Sequence, residues 1–301
     1  MDTRPILITG VSGQLGHALS LHAARTNTRF HAVGRPGFDF DAPETIAAAL
    51  ADADPALVVN AAAWTAIDAA EASADAAFRA NRDGPATLAT LCRARGIPLI
   101  HVSTDYVFDG TKGAPYTETD PIAPLGVYGE SKAAGEAAIL ASGAEAIILR
   151  TAWVFSATGK NFARTMIAAA SRLSALRVVA DQRGAPTAAE DLAEAILAIA
   201  ARIVAAGWQP GFAGIFHATS AGDTTWHGFA TEILAIAARH GTPHPDIIPI
   251  ATADWPTPTR RPADSRLDTT KLQQTFGLAL PHWKDATARI VPALLAQERA
   301  S

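Results

Sequence analysis

Cysteine is nearly absent from this sequence. Cys92 is the only one in 301 residues, which excludes an intrachain disulfide framework and fits a reducing compartment. It falls in a helical stretch and reads as packing. Charge is also scarce: charged residues make up 18% of the chain, and 29 acidic against 25 basic residues give a formal net charge of −4. No Lys/Arg block is present, so neither nucleic acid nor an anionic membrane surface is an expected partner. No apolar run reaches the about 20 residues that a spanning helix needs. The N-terminus leads into a strand without a basic region and a long apolar core. A cytoplasmic protein is expected. With no H-E-x-x-H pairing and one cysteine, no zinc site is expected. A hydrolase elbow G-x-S-x-G is lacking, and the glycine loop lacks the Lys-Ser/Thr ending of a phosphoryl-transfer loop.

What is present is an alternation of short apolar runs with Ala-rich helical patterns. Strands are expected at Pro5–Thr9, Phe30–Gly34, Ala56–Asn60, Pro98–Ser103, Ala146–Arg150, Leu176–Val179 and Gly214–His217. Helices are expected between them, including one over roughly Ala72–Arg95 that Gly84-Pro85 kinks. The Pro-rich tail 243–262 reads as turns, followed by short helices near Thr269–Phe276 and Trp283–Leu295. The alternation implies an α/β fold, a Rossmann-type doubly wound parallel sheet, with a smaller C-terminal α/β substrate-binding domain. The expected dinucleotide-binding domain spans 1–155, with 188–220 returning to it. Residues 156–187 and 221–301 form the substrate side.

Three motifs carry chemistry. Gly10, Gly13 and Gly16 are spaced G-x-x-G-x-x-G between a strand and a helix, where a pyrophosphate can approach the backbone and the helix N-terminus. Ser103-Thr104-Asp105-Tyr106 closes a strand at the end where doubly wound sheets bind ligands. Tyr128 and Lys132, four apart on a helix, share a face. A cation beside a tyrosine favours its phenolate and suits it to proton transfer. Each motif alone has a bland reading, as a turn or a surface pair; together they favour catalysis. The second strand ends in Gly34-Arg35 rather than an acidic residue, which suits the 2′-phosphate of NADP.

These motifs resemble the extended short-chain dehydrogenases/reductases and, within them, the dTDP-4-dehydrorhamnose reductase family. The resemblance runs through Val59–Thr65, Ser103–Gly110, Pro124–Lys132, Arg150–Val154, Asp181–Thr187, Thr225–His227 and Arg261–Leu267. It implies reduction of a dTDP-sugar C4 ketone by NADPH, with NADH a usable second donor. It implies Tyr128 as proton donor, Lys132 on the nicotinamide ribose and lowering the Tyr128 pKa, and Thr104 as third catalytic residue. Thr104, Asp105, Tyr128, Trp153, Trp226, Arg260 and Arg266 would contact substrate. Gly10, Gly13, Gln14, Leu15 and Gly16 would line the pyrophosphate, with Arg35, Asp39 and Phe40 at the adenosine end. Ala62, Ala63 and Thr65 would lie along the nicotinamide. Trp64 departs from the His or Tyr common in the family. Some members form a magnesium-linked homodimer; Glu190 could serve, but no full set of ligands is evident and no metal is expected. The alternatives are another nucleotide-sugar reductase or epimerase of the superfamily, or a non-catalytic NADP-binding regulatory subunit. A dehydratase is disfavoured because Tyr106 stands where an acid would follow Asp105.

Overall fold

Apolar runs without polar alternation become strands buried on both faces, because helices cover a parallel sheet on each side. The computed structural model describes residues 3–300, so positions 1, 2 and 301 of the expected domains lie outside the described residues. The first half runs β1 (Ile6–Thr9), α1 (Gln14–Arg25), β2 (Phe30–Val33), α2 (Pro43–Ala53), β3 (Leu57–Asn60), α3 (Ile67–Ala72), α4 (Ala74–Phe78), α5 (Gly84–Arg95), β4 (Leu99–Thr104), α6 (Val127–Ser142) and β5 (Ala146–Thr151). The second half runs β6 (Val154–Phe155), α7 (Phe162–Ala170), β7 (Ala175–Val179), β8 (Arg183–Gly184), β9 (Thr187–Ala188), α8 (Ala189–Ala206), β10 (Gly214–His217), β11 (Ser220–Ala221), β12 (Thr224–Thr225), α9 (Trp226–Ala238), β13 (Asp246–Ile250), α10 (Thr270–Phe276), β14 (Leu280–His282) and α11 (Trp283–Ala300).

Six of these strands form one all-parallel sheet in the order β2-β1-β3-β4-β5-β10. The chain goes outward from β1 to β2 and then returns to build the other side from β3. That reversal leaves a crevice at the carboxyl ends of β1 and β3, the place where such sheets take ligands. No helix among the described residues is long and apolar enough to cross a membrane.

The core divides into clusters that cut across sequence order. One packs β1, β3 and β5 against α1 and α8, and includes Phe216 together with Leu272, Phe276 and Leu280 from the tail. A second joins α7, α9 and α11 around Phe155, Phe229 and Trp283. A tail assigned wholly to the substrate side is therefore corrected in part: α10 and Leu280 close the core of the main sheet. A further correction concerns the helix expected over 72–95. It is broken into α4, a π turn at Arg79–Asp83 and α5. The break lets Asn81 point inward, where it accepts from Trp64 N (2.9 Å) and donates to Ser131 Oγ (3.0 Å). Gly84 follows because a Cβ there would lie 2.2 Å from the Phe40 ring. The proline-rich tail also holds a strand, β13, parallel to β7. Pro249 sits in it because β13 has no second neighbour and needs no inward amide hydrogen at that position.

Candidate active site

The crevice opens into a cleft of about 780 Å³. Its floor starts at the glycine loop. Gly10 has φ +72°, and a Cβ on it would come within 2.7 Å of the backbone of Ala61 and Ala62. The loop can therefore lie flat against β3 only with glycine there. Gly13 caps α1 without any side chain over the helix N-terminus, leaving first-turn amide hydrogens free for an anion. Gly13, Gln14 and Leu15 line the cleft with Ala61, Ala62, Ala63 and Thr65. Gly16 does not: a Cβ there would lie 2.2 Å from the Gly10 carbonyl oxygen, so it packs α1 onto the loop. A flat, small-residue wall beside an uncapped helix end fits a dinucleotide.

At the far end Arg35, Phe38 and Phe40 line the cleft. Asp39 is not part of the lining and accepts from Arg35 Nε at 3.1 Å, while Asp41 lies 3.5 Å from the same guanidinium. Arg35 remains two-thirds exposed, so these surface pairs are weak and replaceable by a stronger anion. On the opposite side Asn161 Nδ2 donates to Gln14 Oε1 at 3.0 Å. This contact brings the loop carrying Lys160 onto the cleft.

Tyr128, Lys132, Thr104 and Asp105 meet at the centre. Thr104 is placed by the end of β4; its hydroxyl accepts from Tyr106 N (3.2 Å) and donates to Asp105 Oδ1 (3.1 Å). It also hydrogen-bonds the Tyr128 hydroxyl. Burial pushes the Tyr128 hydroxyl well above its ordinary pKa, and that hydrogen bond opposes the rise. The expectation that Lys132 lowers it is not met in this geometry, where desolvation dominates. Lys132 is itself buried and brought down to about 8 by desolvation, against the attraction of Glu136. It donates to the Val102 carbonyl at 2.7 Å. Burial raises Asp105 to about 6, opposed by hydrogen bonds from Ser265 and Thr104, and its Oδ2 has no partner. Behind this layer, Glu136 accepts from Ser103 Oγ (2.5 Å) and two Arg150 nitrogens (2.6 and 2.9 Å). This buried pair ties α6 to β4 and β5.

Two tryptophans form the outer wall. Trp153, at φ +46°, stacks on Trp226 with ring centroids 3.6 Å apart and planes 8° from parallel. A left-handed backbone costs a bulky residue energy, and the stack together with Gly184 accommodates it. A Cβ on Gly184 would lie 2.5 Å from the Trp153 ring. Of the three neighbouring arginines, Arg261 lines the cleft, bonding Tyr106 Oη (3.0 Å) and Asp68 Oδ2 (2.8 Å). Arg260 and Arg266, singled out from the sequence, do not line it. Arg260 is exposed. Arg266 is held by Asp264 at 2.6 Å and approaches Asp223 at 3.8 Å. Glu190 accepts from Ser156 Oγ at 2.8 Å, and among the described residues no three candidate ligands come together for a metal. His240 and His244, four apart, follow the end of α9 with Gly241 and Pro243 between them, so they share no helical face.

Arg261, Lys160, Asn60 and His101 were passed over in the sequence reading. A polar residue inside an apolar strand run, as at His101, was the available signal. Lys160 offered none, since a loop lysine is ordinary.

The family described as RmlD substrate binding domain matches residues 3–296. A dTDP-4-dehydrorhamnose reductase from Burkholderia thailandensis is 44% identical, covering 97% of this chain and 99% of that one. Another from Sinorhizobium fredii is 42% identical over 96% and 97% of the two chains. Among solved structures, a dTDP-4-dehydrorhamnose reductase from Bacillus anthracis in complex with NADP superposes with a TM-score of 0.87. It is 27% identical and covers 96% of this chain and 99% of that one.

Proposed function

The chain belongs to the RmlD substrate binding domain family, and from that premise we propose that it reduces the C4 ketone of dTDP-4-dehydro-L-rhamnose to dTDP-L-rhamnose in an NADPH-dependent reaction, the last step toward this polysaccharide precursor. The observation that carries the reading is the meeting of Tyr128, Thr104 and Asp105 in one cleft with the glycine loop. NADPH, when bound, supplies the hydride that C4 receives.

The chain's own residues do the rest. Tyr128 stays protonated because it is buried, which is the state needed to give a proton to the carbonyl oxygen. Thr104 orients that hydroxyl and turns its own hydrogen from Asp105 Oδ1 to the same carbonyl oxygen. Asp105, which lines the cleft beside Thr104, takes a sugar hydroxyl. Gly10, Gly13, Gln14, Leu15 and Lys160 hold the cofactor diphosphate. Arg35 exchanges Asp39 for the 2′-phosphate, while NADH, lacking that group, gains less. Phe40 flanks the adenine, and Ala62, Ala63, Thr65 and Lys132 the nicotinamide riboside. Trp153, Trp226 and Arg261 receive the nucleotide sugar. Residues up to 155 with 188–220 make the cofactor side, joined by α10, and the second core cluster supports the substrate side.

The purified protein should oxidise NADPH on addition of dTDP-4-dehydro-L-rhamnose and release dTDP-rhamnose, followed by absorbance and chromatography. Cofactor binding without reduction of any nucleotide ketosugar sinks the assignment and leaves a regulatory subunit.

A further inference from the structure

Behind the cleft, Thr9, Asn60 and His101 stand in one cross-strand row. Thr9 is the register partner of Asn60, and Asn60 that of His101. All three are fully buried, and the row ends at Lys132, whose Nζ lies 3.3 Å from His101 Nε2. Donors and acceptors along it allow one assignment. The Ala62 amide (3.2 Å) and the Thr9 hydroxyl (2.6 Å) both donate to Asn60 Oδ1. A backbone amide hydrogen cannot accept, so the Asn60 side chain cannot be turned over, and its Nδ2 faces His101 Nδ1 at 2.8 Å. An amide nitrogen only donates, so Nδ1 carries the lone pair and the ring hydrogen sits on Nε2, facing Lys132. An ammonium has no lone pair to meet that hydrogen. A neutral amine has one, and can still donate to Val102 O.

We propose that the Thr9–Asn60–His101 row fixes His101 with its hydrogen on Nε2 and thereby disfavours the Lys132 ammonium, so that Lys132 loses its proton more readily than an ordinary lysine in the cofactor-free protein. His101 and Asn60 are then positioning residues, acting on the reaction through Lys132. Its functional meaning rests on the reductase reading; the hydrogen assignment does not. Burial acts in the same direction, keeping His101 unprotonated and bringing Lys132 down. Tyr128 lies one turn before Lys132 on α6. Glu136, one turn after it, is paired with Arg150 of β5 and still favours the Lys132 charge. Of the charges on elements packed against α6, Arg79 pairs with Asp41, Arg82 with Asp83, Asp68 with Arg261, Glu71 with Val127 N and Arg93 with Ser142 O, while Asp105, bonded by Thr104, faces Tyr128. A lysine set in this way holds its charge loosely until negative charge stands beside it, as when Tyr128 gives up its proton.

The test uses NMR of isotope-labelled histidine and lysine nitrogens in the full-length, cofactor-free protein, with the Lys132 signal assigned by its loss in Lys132→Met. His101 should show the Nε2–H tautomer. In Asn60→Asp the carboxylate takes a hydrogen from Nδ1, Nε2 becomes an acceptor, and the Lys132 titration should rise by about one pH unit or more. His101→Gln, which adds no charge and can turn its oxygen to Lys132, should raise it too. An Nδ1–H tautomer in the wild-type protein overturns the proposal, whether or not the variants fold. So does an unmoved Lys132 titration in folded Asn60→Asp and His101→Gln. Turnover is no part of the readout, so an inactive protein would count against the reductase reading alone.

Discussion

In the proposed reaction Tyr128 gives its proton from a hydroxyl that burial keeps protonated. Tyr128→Phe should therefore lower turnover by roughly 10²–10⁴-fold while NADPH fluorescence titrations stay as in the wild type. Loss of cofactor binding instead would make the tyrosine structural. Asp105 carries a prediction about stability. Its folded pKa of about 6 stands above the 3.8 of an ordinary carboxyl, so the folded state binds the proton more tightly. Its contribution is present at low pH and is lost as pH rises from 3.8 through about 6, on the order of 3 kcal/mol in all. Asp105→Asn should be more stable than the wild type above pH 6 and lose that advantage on acidification, as measured by denaturant unfolding across pH. His101 and His217, held below their ordinary values, bring the opposite trend below about pH 6.5; the comparison of the two proteins removes it. The spacing of Tyr128 and Lys132 was legible because a helix repeats every few residues. Arg261 was missed by one position. Which arginine faces the cleft is decided by a loop whose buried Thr259 bonds Ile67 O (3.3 Å) and Asp68 (3.4 Å), far away in sequence.

Among the elements, α1, α2, α6 and the first five strands read well from the sequence, since each apolar run has no other place than a covered parallel sheet. Reading failed where tertiary contacts override pattern. The π turn at Arg79–Asp83 exists for Asn81, and Pro249 disguised β13. Two glycines show how tightly elements meet. A Cβ on Gly135 would lie 1.9 Å from the Asn81 carbonyl oxygen. Gly135→Ala should force α6 off the π turn at a cost of about 1–3 kcal/mol, visible as a lowered Tm. Gly184→Ala would instead push the Trp153 ring. The KM for the dTDP sugar should rise about tenfold, equivalent to about 1.4 kcal/mol, with the NADPH Kd unchanged. A matching rise in both constants would mean that the tryptophan wall serves the cofactor as well.

For the whole molecule, the cleft and the core that supports it are not built from the same segments. Every cleft-lining residue precedes position 262, yet Leu272, Phe276 and Leu280 complete the core of the main sheet. A chain ended after residue 268 should lose cooperative unfolding and NADPH binding, read by circular dichroism and fluorescence, although it keeps the whole site. Retained binding would show that α10 only decorates the sheet. The pairing of β10 with β5 has a further consequence during synthesis. The ribosome delivers β1 to β5 well before β10, with residues 152–213 still to come. Throughout that interval the nascent chain shows an unpaired edge on β5, a strand buried along its whole length in the finished fold and open to pairing with other chains until β10 arrives.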